Sequence, residues 1–126
     1  MRKLACLVAV CFAVLVGSAP ARAAGAPPYQ QARVLMLTVD SRVALLVCDE
    51  GQGSRHPQPV AACADLVRAN GEPGRMRIRP QVMCTMQYQP ITATATGVWD
   101  GRLVRFERTY GNECAMRVEG GAVFAF

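Results

Sequence analysis

The stretch Thr92-Ala93-Thr94-Ala95-Thr96-Gly97-Val98-Trp99-Asp100-Gly101-Arg102-Leu103-Val104-Arg105-Phe106-Glu107-Arg108 decides the fold. Thr92, Thr94, Thr96 and Val98 alternate with Ala93, Ala95, Gly97 and Trp99, the two-residue period of a strand. Asp100-Gly101 is a two-residue turn, and Arg102 to Arg108 returns with Val104 and Phe106 on one face. Upstream, the Val- and Leu-rich runs Arg33 to Val39 and Arg42 to Cys48 flank Asp40-Ser41 and predict a second antiparallel pair. Asp49 to Pro59, with two Gly and two Pro, is a surface loop. Ala61 to Ala69 has helical spacing, with Ala62 above Leu66, Cys63 above Val67, and Asp65 and Arg68 turned outward. Asn70-Gly71 supplies its left-handed stop. After Gly120-Gly121, the run Ala122-Val123-Phe124-Ala125-Phe126 predicts a last strand. The sum is an antiparallel sheet with one main helix, an α+β domain.

The chain starts with Arg2 and Lys3, an apolar run from Leu4 to Val16, and Ala21-Arg22-Ala23. This is the pattern of a signal peptide over 1–23, too short in its apolar part to span a bilayer. Its removal leaves residues 24–126 as one secreted, extracellular domain, led by a Pro- and Ala-containing segment to Gln31. A domain of this size has little stability to spare. Four cysteines remain, Cys48, Cys63, Cys84 and Cys114, and an even number in an oxidising compartment predicts bridges. Of the three pairings, Cys48 with Cys63 and Cys84 with Cys114 are the short closures that need no chain crossing.

Charge excludes more than it suggests. Without Arg2, Lys3 and Arg22, the 14 cations become eleven arginines against nine carboxylates, a net charge of +2. Nothing in that calls for nucleic acid or a membrane surface. Arg75, Arg77 and Arg79 alternate through Met76 and Ile78 as a solvated strand face or loop, with a basic edge as the alternative. Nor is the inventory that of an enzyme. The one histidine, His56, shares a Gly- and Pro-rich loop with Ser54, without the orienting third group that nucleophilic hydrolysis requires. Asp49 and Glu50 are adjacent loop acids, and no CxxC or HxxxH spacing offers a metal site. No cofactor or metal is expected. Trp99 is assigned to the core.

The segments Cys63-Ala64-Asp65-Leu66, Val82-Met83-Cys84-Thr85-Met86, Gly97-Val98-Trp99-Asp100-Gly101, Asn112-Glu113-Cys114 and Val123-Phe124-Ala125-Phe126 carry a more specific signal. In this order and spacing the chain resembles the Streptomyces subtilisin inhibitor-like family of secreted proteins. That resemblance implies a five-stranded antiparallel sheet with two helices, one main and one short, and two local disulfides. It also implies a homodimer that inhibits subtilisin-like serine proteases tightly and reversibly, with trypsin- or chymotrypsin-like enzymes as further targets. Met36 is then a candidate for the dimer interface, with an ordinary buried methionine as the alternative.

By the same resemblance the reactive bond joins Met86 to Gln87. Met83, Cys84 and Thr85 precede it in the protease-contact loop, Tyr88 follows it, and Asn112 braces the loop from behind. Thr85 stands where family members often have proline, so stiffness here must come more from the disulfide. Gln87 replaces a small or apolar residue. The residues themselves pull two ways: strict alternation turns Met86 to the same side as Cys84, inward, and only an extended, polyproline-like course turns it out. A second function stays open on the same scaffold, a secreted binding module that restrains another exported enzyme such as a transglutaminase precursor.

Overall fold

The computed structural model describes residue 25 and residues 31–49, 53–76 and 82–126. The expected signal peptide, most of the segment that follows it, Glu50, Arg77 and Arg79 lie outside the described residues. Strand β1 (Arg33–Val39) pairs antiparallel with β2 (Arg42–Val47) on one side and with β3 (Ile91–Trp99) on the other. Strand β4 (Arg102–Tyr110) pairs with β3 and completes a four-stranded antiparallel sheet in the order β2-β1-β3-β4.

Both hairpins turn where the sequence allows it. Asp100 and Gly101 take φ of 49° and 77°, the left-handed pair that matches the twist of the flanking strands. Arg33 clamps this turn, its Nε and Nη2 donating to the Asp100 carboxylate at 2.7 and 2.9 Å. The guanidinium holds that carboxyl below its ordinary range and lies 5.0 Å from the centre of the Trp99 ring. At the other hairpin, Asp40 has a φ of 50° and its backbone N–H and carboxylate continue the pairing to Thr92.

One face of the sheet carries the core. Leu35, Leu37 and Val39 of β1, Leu46 of β2, Ala93, Ala95 and Trp99 of β3, and Val104 of β4 are buried together. Helix α1 (Pro59–Arg68) packs Ala62 and Leu66 on them, and Cys48–Cys63 ties it to the end of β2. The helix begins two residues earlier than the sequence spacing predicts because proline suits the first helical turn, where its missing N–H is no loss. It stops at Asn70 and Gly71, both with positive φ. Gly71 lies so close under Trp99 that an added Cβ would fall 2.2 Å from the indole ring.

Three expectations are corrected. The sheet has four strands among the described residues, not five. Residues 122–126 are not a strand: Gly121–Phe124 forms a 3-10 turn that buries Val123 and Phe124 against the helices. Five apolar residues are as suited to such a plug as to a strand, and Gly121 enters the turn with a positive φ of 55°, which is not a strand conformation. Asp65 does not turn outward; its side chain is only 12% exposed and accepts a hydrogen bond from the Ala122 N–H at 2.8 Å, fixing that turn to α1.

His56 fixes the same turn from the other side. Buried, it receives the Gln58 N–H on Nδ1 at 3.0 Å and faces the Val123 carbonyl with Nε2 at 3.1 Å. This pairing requires the neutral ring with its proton on Nε2, and burial lowers its pKa. His56 is therefore a structural residue.

Candidate functional site

Residues 82–90 cross the surface without regular structure. Two methionines dominate them, Met83 at 97% exposure and Met86 at 96%, followed by an exposed Tyr88. Side chains of this kind are ordinarily covered, so an uncharged run that displays them has the composition of a contact surface. The inward turn that strict alternation gives Met86 does not occur, because this segment is not a sheet strand.

The loop is nonetheless tied down. Cys84 is bonded to Cys114 in the first turn of a second helix, α2 (Glu113–Gly120). Asn112 precedes that helix in an extended conformation. Its Oδ1 accepts the Ala115 N–H at 2.9 Å, the side-chain cap that a helix N-terminus lacks in its own backbone. Its Nδ2 donates to two loop carbonyls, Thr85 O at 3.0 Å and Gln87 O at 2.9 Å. These carbonyls stand on either side of Met86. One amide group therefore caps a helix and holds the backbone on both sides of the exposed Met86.

A further tie runs from the Gln89 N–H to the Gly111 carbonyl at 2.8 Å, where β4 has just ended. Among the described residues the anchoring is thus a disulfide and three hydrogen bonds, all to main-chain atoms on the loop side except Cys84. Met83, Cys84, Thr85, Met86, Gln87, Tyr88 and Asn112 are all brought together in this one region. The resemblance implies a second, short helix, which α2 is, but the sequence reading placed neither its residues nor its cap. The signal was present: Asn112 with Glu113 in the first turn and Arg117 in the last is a helix-start and helix-end pattern, and Glu113 and Arg117 pair at 2.7 Å.

Elsewhere the candidates disperse. Ser54 donates to the Leu45 carbonyl at 3.2 Å and helps seat its loop on β2. Asp49 accepts from the Arg33 N–H. Among the described residues no group of His, Cys, Asp and Glu is placed to hold a metal ion. Met36 is half-exposed on the sheet face opposite the core.

A model of the subtilisin inhibitor-like family matches residues 30–112, about two thirds of the sequence and the whole of the sheet. The chain belongs to the subtilisin inhibitor-like family. It is a family of protease inhibitors and not of enzymes. A subtilisin inhibitor-like protein of Streptomyces fradiae is 42% identical over 85 residues, covering 68% of this chain and 79% of the relative. The subtilisin inhibitor of Streptomyces albogriseolus is 41% identical over 85 residues, but the match spans only 59% of that relative's length against 68% of this chain. A trypsin inhibitor of Streptomyces longisporus is 38% identical over 123 residues, 89% of this chain and 85% of the relative. Among solved structures, Streptomyces caespitosus sermetstatin in complex with Bacillus licheniformis subtilisin superposes with a TM-score of 0.61 at 32% identity, covering 74% of this inhibitor-like chain and 97% of sermetstatin.

Proposed function

We propose that this chain is a secreted, substrate-like inhibitor of subtilisin-like serine proteases that offers Met86–Gln87 as its reactive bond. The observation that carries this reading is the placement of Asn112, which grips the carbonyls before and after Met86 while the Met86 side chain stays 96% exposed. A free peptide loses about 0.5 to 1.5 kcal/mol for each rotamer-rich side chain it immobilises on binding, plus backbone entropy. A loop already held open avoids most of that cost. Burial of Met86 in the primary specificity pocket adds about 1.5 to 3 kcal/mol. If the enzyme acylates at Met86, the ties keep the amine of Gln87 next to the acyl carbon, and religation outruns hydrolysis. Met83, Cys84 and Thr85 occupy the non-primed side, Gln87 and Tyr88 the primed side.

The protein acts as a homodimer in this reading. The sheet face away from the core has a row of apolar side chains across all four strands, Val47, Val34, Val98 and Leu103, with Leu45 and Met36 in the next row. Leu103 and Val43 are largely exposed in the single copy, and Met36 is half-exposed. A second copy on this face would cover them.

Titration of active subtilisin with the purified protein, followed by N-terminal sequencing of any nicked product, tests the proposal. Stoichiometric, slowly reversible loss of activity and a new N-terminus at Gln87 are expected. Unchanged subtilisin activity, or a cut elsewhere, would overturn it. Met86→Lys should move the preference towards trypsin-like enzymes, since their pocket carboxylate takes a cation. Survival of full function in Met86→Gly would instead favour a module that restrains another exported enzyme.

A further inference from the structure

The chain has six methionines, and the five at or beyond residue 36 differ sharply in access. Met116 is completely buried, Met76 packs against the core, and Met36 is 44% exposed. Met83 and Met86 present almost their entire surface to solvent, three residues apart on the same loop. Thioether oxidation follows access, so an oxidant reaches these two first. Neither side chain takes part in the ties that hold the loop, which run through Cys84 and through the main chain at Thr85, Gln87 and Gln89.

We propose that Met86, with Met83 beside it, is an oxidation site through which hydroperoxides switch the inhibitor off without unfolding it. The inference rests on the reading of Met86 as the residue that enters the protease pocket. The thioether sulfur attacks one oxygen of the hydroperoxide; the S–O bond forms, the O–O bond breaks, and the leaving hydroxide or alkoxide takes a proton. Sulfur is oxidised by two electrons and the peroxide is reduced to water or an alcohol. The product is a polar sulfoxide on the side chain that must be buried in an apolar pocket, where it lacks the hydrogen bonds water gave it. The loop keeps its shape and its exposure, so what changes is the chemistry of the bait. A sulfoxide reductase reverses the change: two thiols become a disulfide, and the sulfoxide oxygen leaves as water.

The experiment uses the purified chain treated with dilute hydrogen peroxide, with peptide-mapping mass spectrometry and subtilisin titration on the same samples. Oxygen should appear on Met83 and Met86 well before Met116, while the melting temperature is unchanged. The Kd for subtilisin should rise by at least about tenfold in step with Met86 oxidation. Treatment with a methionine sulfoxide reductase and thiol should restore it. Met83→Leu should keep the response. Met86→Leu, whatever its own starting affinity, should lose it. Equal inhibition by fully Met86-oxidised protein, a continued peroxide response in Met86→Leu, or a loss that tracks Met116 oxidation and melting would each overturn the switch. Failure of the untreated protein to inhibit subtilisin at all would instead remove the function on which the switch rests, so the two failures are told apart by the untreated control.

Discussion

The two disulfides hold regions that depend on them very differently. Cys48–Cys63 joins β2 to a helix that Leu66, Ala62 and the Trp99–Gly71 contact already seat in the core. Cys84–Cys114 holds a loop that buries almost nothing and that, among the described residues, is otherwise tied by three hydrogen bonds. The same bond type therefore adds stability alone in one place, and stability together with shape in the other. Packing can replace a crosslink where there is a core to pack against, and cannot where every side chain must stay outside.

The largest effect that would sharpen this contrast is expected from removing the bridges in turn. Replacing Cys84 and Cys114 by serine should raise the Kd for subtilisin by at least about a hundredfold and turn the protein into a substrate cut at the loop. The chain-entropy model puts the accompanying stability loss at about 3.7 kcal/mol. Replacing Cys48 and Cys63 by alanine should cost about 3 kcal/mol in denaturant unfolding yet leave inhibition intact below the melting transition. Equal loss of inhibition from both pairs would break the comparison.

Gly71→Ala probes the packed side. A methyl group there meets the indole ring of Trp99 at a left-handed backbone position, so a loss of about 2 to 4 kcal/mol in urea unfolding is expected with little change in the affinity of the surviving folded protein. Asn112 probes the loop side. Asn112→Ala should cost about 1 kcal/mol through the lost cap and also weaken inhibition by about tenfold. Asn112→Asp retains the acceptor for the Ala115 N–H but has no N–H for Thr85 and Gln87. It should melt near the parent and still inhibit poorly, and wild-type inhibition by this variant would contradict the brace.

The smallest effect should be that of pH on the packed side. Folding lowers the pKa of His56 from 6.5, so as pH falls the unfolded chain binds the proton first. The contribution of the neutral ring is full above about 6.5 and is lost progressively below it. A melting temperature that declines between pH 7 and 5.5, with that decline absent in His56→Asn, is the expected result. A profile equally steep in the variant would assign the change to other groups.

Much of the fold was legible because its signals are local. Alternation over Thr92–Trp99 and the Asp-Gly turn leave one way to fold the hairpin, and Asn70-Gly71 ends α1 where it must. The C-terminal run is ambiguous in sequence because five apolar residues have no period long enough to separate a strand from a buried turn. The resemblance implies a second short helix, but with only eight residues α2 has too little apolar period to be located from periodicity. The outward course of Met86 has no local signal at all. It depends on a disulfide partner 30 residues away and on an asparagine beyond β4, contacts that only the assembled sheet brings within reach.

Asn112 reaches for carbonyl oxygens, which every amino acid possesses, and leaves the side chains between them untouched. The outline of the loop is therefore indifferent to what it displays. In the proposed reading, exchanging the residue at position 86 alters the lure without disturbing the hook, so a lineage would retarget the molecule one codon at a time while the frame beneath stays as it was.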